Sequence, residues 1–157
     1  MDTLGRAAPD VSGSIGSQEG REMKRCMFVD DSSVIRKVAK RILGGSDMII
    51  IEAASGYDAL DMCSLEMPDI IVVDGTLPDM SAIEFIRRAR AFDAPVKPQI
   101  VICLTEVDIG AIMRAKRAGA QGYLLKPFNR QQLLERFRDL QAVRMTPAQV
   151  HTASTAA

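Results

Sequence analysis

Between residues 25 and 140 the chain alternates five times between a short apolar run and a longer stretch with apolar residues every three or four positions. The runs predict strands near 25–29, 48–53, 70–74, 99–104 and 122–125. The third, Ile70-Ile71-Val72-Val73-Asp74, is almost wholly aliphatic, as a strand covered on both faces should be. A helix is predicted over 33–43, with Val34, Ile35, Val38, Ile42 and Leu43 in one stripe, Ser32 as N-cap and Gly44-Gly45 as the stop. The second helix runs from about Tyr57 to Glu66 and ends before Pro68. Ser81-Ala82-Ile83-Glu84 reads as a capping box opening a third helix that reaches about Ala91. A fourth spans roughly 108–118 and ends at Gly119, and Asn129 caps the last, whose inward stripe is Leu133, Leu134, Phe137 and Leu140.

Five βα units in succession imply an α/β fold: a doubly wound, five-stranded parallel sheet with helices on both faces and strand order 2-1-3-4-5. Residues 1–22 hold few large apolar side chains and are expected to be disordered. The folded unit is expected over 23–144, with a flexible Thr/Ala-rich tail over 145–157. Met23, which leads straight into the first strand, is an alternative translation start.

Charge and composition narrow the function classes. Twenty basic and twenty acidic residues balance, so bulk attraction to nucleic acid or an anionic membrane is not expected. No apolar stretch approaches the ~18 residues of a membrane span, and the N-terminus lacks the pattern of a secretory signal, so a cytoplasmic protein is expected. Cys26, Cys63 and Cys103 form no C-x-x-C pair and read as small buried hydrophobes. His151 is the only histidine and lies in the tail, which disfavours zinc.

The chemistry is expected where the strands end. Asp30 and Asp31 follow the first strand, Asp74 closes the third, Thr105 follows the fourth and Lys126 the fifth. In an open parallel sheet these carboxyl ends face the ligand crevice. Two carboxylates ~4 Å apart at an effective dielectric of ~20 repel by about 4 kcal/mol, so three must take up protons or bind a cation. Oxygen ligands alone favour a hard ion, above all Mg²⁺. Cation and lysine together are a usual means of neutralising a transferring phosphoryl group. Asp74, central among these groups, is the natural nucleophile.

Asp30-Asp31, Asp74, Thr105 and Lys126-Pro127-Phe128, in this order and spacing, resemble the signature of the response-regulator receiver domain, the CheY-like, flavodoxin-like fold of two-component signalling. The resemblance covers about residues 24–142. It implies that Asp74 accepts a phosphoryl group from a histidine kinase or a histidine phosphotransferase. It implies that Asp31, Asp74 and the backbone carbonyl of Thr76 ligate Mg²⁺, with Asp30 acting mainly through a water on the metal. Thr105 and Lys126 would hold the phosphoryl group, Thr105 and Tyr123 would form the switch, and the Lys126–Pro127 peptide would be cis. Arg36, Lys37, Lys40 and Arg41 on the first helix lie toward the end that meets the phosphodonor in relatives. Arg114, Lys116 and Arg117 would make part of the output face positive, whereas Arg87, Arg88 and Arg90 read as solvated.

Two departures matter. Glu106 stands where relatives carry a small residue, so it either slows phosphotransfer or turns outward toward a partner. Thr76 and Val107 offer no carboxylate or carboxamide to orient an attacking water, so slow self-dephosphorylation is expected. No DNA-binding domain is expected after Leu140, so output is expected through contacts with an unidentified protein target, by a stand-alone receiver that is no enzyme beyond its own phosphorylation and dephosphorylation. Three alternatives remain at this level: a binding scaffold acting without phosphorylation, an Mg²⁺-dependent aspartyl phosphatase of the haloacid-dehalogenase type, and a flavodoxin-like cofactor binder. The phosphatase would want D-x-D after the first strand, where the chain has Asp30-Asp31-Ser32. The cofactor binder would want a phosphate-cradling loop there, which is missing.

Overall fold

The computed structural model describes residues 23–145; the segments expected to be loose, 1–22 and the tail from 146 onward, lie outside the described residues. In chain order the elements are β1 (Lys24–Val29), α1 (Ser33–Leu43), β2 (Met48–Ala53), α2 (Gly56–Leu65), β3 (Ile70–Asp74), α3 (Ala82–Ala91), β4 (Gln99–Leu104), α4 (Ile109–Ala118), β5 (Gly122–Leu125) and α5 (Arg130–Met145). The strands form one parallel sheet in the order β2-β1-β3-β4-β5, as the pattern predicts.

Because successive strand residues face opposite ways, the central strands feed two cores. Met27, Val29, Ile71, Val73, Ile100 and Ile102 pack with Ala59, Leu60, Phe85, Ile86 and Ala115 of α2, α3 and α4. Cys26, Phe28, Ile70, Val72, Val101 and Cys103 pack on the other side with Ala39 of α1 and Leu133, Phe137 and Leu140 of α5. Each fully buried aliphatic or aromatic side chain stabilises the fold by roughly 1.5–3 kcal/mol. Phe28 and Phe137 stack with ring centroids 6.4 Å apart, joining sheet to helix.

The helix starts follow local chemistry. Ser32, Ser55, Ser81 and Asp108 each accept a backbone N–H three residues on, in every case closing the first turn; such caps contribute about 1 kcal/mol each. At Asn129 the exchange is reciprocal: its Oδ1 accepts from Gln132 N at 2.8 Å, and Gln132 Oε1 accepts from Asn129 N at 3.0 Å. The box at Ser81 is only half formed, since the Glu84 carboxylate accepts from Arg88 at 2.6 Å instead. Gly119 ends α4 at φ 121°, a conformation other residues resist.

Three expectations about surface are corrected. Val34 is 67% exposed, because it lies in the turn of α1 nearest the carboxyl edge of the sheet, beyond the strands that would cover it. Leu134 is 36% exposed, since the buried set Leu133, Phe137 and Leu140 already fills the inward face and Leu134 is rotated to its flank. Arg90 is not simply solvated. Its Nε and Nη2 donate to the Gly119 carbonyl at 2.9 and 2.7 Å, and Nη2 also donates to Gln121 Oε1 at 2.8 Å. Arg90 thereby ties the end of α3 to the turn after α4.

Candidate functional site: an acidic pocket at the carboxyl edge of the sheet

Strand register brings the acids together. Val29 pairs with Val73, so the next residues, Asp30 and Asp74, emerge side by side from β1 and β3. Leu104 pairs with Leu125, so Thr105 and Lys126 leave β4 and β5 at the same level. Lys126 then spans the group: its Nζ lies 2.7 Å from Asp30 Oδ2 and 3.1 Å from Asp74 Oδ1. One carboxylate oxygen from each of Asp30, Asp31 and Asp74 lies within 4.8 Å of the others.

The three acids sit in different surroundings. Asp30 is buried, with Oδ1 accepting from Ser32 N at 2.9 Å. Asp31 is exposed and opens the pocket to solvent. Asp74 is half-buried, and its Oδ1 also accepts from Thr76 N at 3.3 Å. Gly75 makes this turn possible: its N–H donates to the Cys103 carbonyl at 2.7 Å, and a Cβ there would lie 2.8 Å from that same oxygen. A glycine directly after a strand-ending aspartate is a sequence signal for such an approach.

Burial raises the Asp74 carboxyl above the ordinary value, the Lys126 hydrogen bond draws it back, and the Asp30 charge pushes it up again; the net direction is up. For Lys126, burial opposes the charge, but the hydrogen bonds and charges of Asp30 and Asp74 outweigh it and its pKa rises. Both directions are compatible because the ammonium serves Asp30 more closely than Asp74. A carboxylate held above its usual pKa is a better nucleophile than an ordinary one. The neighbouring Cys103 thiol is pushed up to about 12, chiefly by burial, which keeps it neutral and leaves the buried-hydrophobe reading of the cysteines in force.

The donor set fits a hard divalent cation. Octahedral coordination at about 2.0–2.1 Å requires ligand oxygens roughly 3–4 Å apart, close to the spacing of these carboxylates. No histidine or thiolate intrudes among the three.

Around this centre, Thr105, Glu106 and Val107 are all exposed at the mouth, and Thr76 is exposed in the turn after β3. The Lys126–Pro127 peptide is cis. Tyr123 is half-buried against the core of α2, α3 and α4, with the Arg136 guanidinium 5.4 Å from its ring centroid. Arg114, Lys116 and Arg117 are exposed on α4, and Lys37, Lys40 and Arg41 on α1.

Residues 26–138 match the family model described as the response regulator receiver domain. The chain belongs to that family. The receiver is 30% identical over 114 residues to the chemotaxis protein CheY of Listeria monocytogenes, a match covering 72% of this chain and 94% of the relative. It is 29% identical over 106 residues to the sporulation initiation phosphotransferase F of Bacillus subtilis, covering 68% of this chain and 84% of the relative. Among solved structures, the chemotaxis response regulator CheY4 of Vibrio cholerae superposes with a TM-score of 0.71 at 30% identity, over 75% of this chain and 98% of that one. Among the described residues no helix is long and apolar enough to cross a membrane.

Two contacts of this receiver have no counterpart in the sequence reading. Arg36, grouped there with the basic face of α1, turns inward: Nη1 donates to the Asp30 carbonyl at 2.7 Å and Nε to Glu52 Oε1 at 3.2 Å. Asp79 accepts from the N–H groups of Gly56 and Tyr57 at 2.9 and 2.8 Å, tethering the loop that follows Asp74 to the start of α2. Neither could be seen in sequence, because the partners lie outside the element that carries the side chain.

Proposed function

We propose that this receiver accepts a phosphoryl group on Asp74 from a histidine kinase or histidine phosphotransferase, in an Mg²⁺-dependent reaction, and signals through phosphorylation-dependent contacts with a protein target. The observation that carries the reading is Lys126 Nζ set between Asp30 and Asp74 beside a three-carboxylate cluster. Asp74 Oδ1 is engaged by Lys126 and Thr76, which leaves Oδ2 to attack phosphorus. As the new P–O bond forms, the P–N bond of the phosphohistidine breaks. The electron pair stays on the imidazole nitrogen, and a proton on the other ring nitrogen lets the donor depart as neutral imidazole.

The chain's own groups manage the charge. The Lys126 ammonium neutralises oxygens of the incoming phosphoryl group, and the Thr105 hydroxyl donates to one of them. Mg²⁺, held by Asp31, Asp74 and the Thr76 carbonyl with Asp30 behind them, would supply the remaining positive charge. Output follows a population shift in which Thr105 moves toward the phosphoryl group and Tyr123 turns inward, changing the face of α4, β5 and α5.

The test is intact-protein mass spectrometry after incubation with acetyl phosphate or phosphoramidate, with and without Mg²⁺, for the wild type and Asp74→Ala. A Mg²⁺-dependent gain of one phosphoryl group in the wild type alone is expected. No adduct, with beryllofluoride also failing to bind, would overturn the reading in favour of a scaffold.

A further inference from the structure

We propose that Arg36 is a positioning residue for the cation and phosphoryl pocket, acting through the peptide that joins Asp30 to Asp31. The inference rests on the pocket being read as above. Arg36 lies one turn into α1, yet its side chain is only 16% exposed. Its guanidinium is anchored to Glu52 on β2 and donates to the carbonyl oxygen of Asp30. That carbonyl belongs to the planar unit that also contains the Asp31 N–H. Fixing its direction fixes the torsion leaving Asp30 and the torsion entering Asp31. One hydrogen bond thus aims both acids.

The other contacts of Asp30 make the role of Arg36 specific. Its N–H donates to the Ala53 carbonyl at 3.0 Å, its Oδ1 accepts from Ser32 and its Oδ2 from Lys126. Those bonds locate the Asp30 main-chain nitrogen and its carboxylate. Among the described residues only Arg36 holds the carbonyl that leads into Asp31, and Asp31 itself is exposed.

Charge and geometry predict opposite signs, which makes the idea testable. Removing a cation beside three carboxylates should, by Coulomb's law alone, tighten binding of a divalent cation. Loosening the acids should weaken it, and loss of outer-shell partners weakens metal sites by about 10–100-fold. The experiment is calorimetric titration of wild type, Arg36→Ala and Arg36→Lys with Mg²⁺, with the thermal midpoint of each recorded in EDTA. We expect Arg36→Ala to bind Mg²⁺ about tenfold more weakly. Arg36→Lys, which keeps the charge but not the fork, should fall between it and the wild type. In phosphoramidate reactions the Mg²⁺ half-saturation point should rise similarly, with the saturated rate changed less than about twofold.

Unchanged or tighter Mg²⁺ binding in both variants would overturn the inference, including the case in which the EDTA midpoint falls, since that would leave Arg36 a stabilising residue only. Should Arg36→Ala fail to fold, Arg36→Lys alone decides by the same criterion. A wild type that binds no Mg²⁺ would overturn the reading of the pocket itself, an outcome distinct from a wild type that binds and variants that match it.

Discussion

Lys126 Nζ lies 2.7 Å from Asp30 Oδ2, although ninety-six positions separate the two residues in the chain. The contact joins the first strand of the fold to the last across β3 and β4. Both side chains are largely enclosed, at 13% and 4% exposure, so the pair is harder to lose than a surface ion pair.

Replacing Lys126 with methionine keeps the bulk and removes the charge, leaving Asp30 buried without its cation. We expect a loss of about 2 kcal/mol at pH 7, short of the roughly 3–5 kcal/mol for a fully enclosed pair because exposed Asp31 opens the pocket to water. The Lys126 pKa is raised in the fold, so its contribution is complete below the ordinary lysine value and is lost as pH rises through the raised one. Urea midpoints of wild type and Lys126→Met should therefore differ by a constant amount from pH 7 to about 10 and converge above it. A gap that closes already between pH 7 and 9 would contradict the assignment.

Asp74 carries the opposite liability. Its pKa is also raised, chiefly by burial, so the ionised form present at pH 7 costs stability that the neutral form does not. Here too the favourable contribution is present below the ordinary carboxylate value and is lost as pH rises through the folded one. Asp74→Asn imitates the neutral form and keeps an acceptor for Lys126. The variant should be more stable than the wild type by about 1 kcal/mol at pH 7, a few degrees in thermal midpoint, with the difference shrinking toward pH 4. Added Mg²⁺ should raise the wild-type midpoint more than that of Asp74→Asn. Equal midpoints at pH 7 without metal would remove the repulsion argument.

Tyr123 sits beneath Arg136, and a half-buried cation–π contact of this kind is worth about 0.5–1 kcal/mol. If the ring turns inward on activation, that contact holds the inactive arrangement. Arg136→Ala should then bind beryllofluoride about two- to fivefold more tightly than the wild type, measured with Mg²⁺ present. Unchanged or weaker binding would show that the Arg136 contact does not restrain the switch.

The fold was legible in sequence because parallel strands buried on both faces leave unbroken aliphatic runs, as at Ile70–Val73, and because caps such as Ser32 and Asn129 are local signals. The acids of the pocket were legible for the same reason: Asp74 closes one strand and Asp30-Asp31 follow another. What stayed hidden was the side chain whose partner lies on another element. Arg90 reaches a carbonyl twenty-nine positions on, and Arg36 reaches back to a carbonyl that periodicity says nothing about. Helical phase also overstated burial at Val34, since it reports which face a residue occupies and not whether anything covers that face.

If Asp74 carries the phosphoryl group, the lifetime of that state depends on what can orient water beside it. Thr76 lies two residues after Asp74 and Val107 in the loop after β4, and both are exposed. A threonine hydroxyl and a valine give that water no strong acceptor to align its proton. Uncatalysed attack should therefore dominate, and the isolated phosphoprotein should persist for minutes or longer. Thr76→Asn would place a carboxamide oxygen at the same point. It should shorten the lifetime by about tenfold, below the contribution of a positioned base because a carboxamide orients water without taking its proton. Following loss of the phosphoryl mass with time, after removal of the donor, checks both values. A wild-type lifetime of seconds would mean that some other group, with exposed Glu106 the nearest candidate in sequence, supplies the missing acceptor.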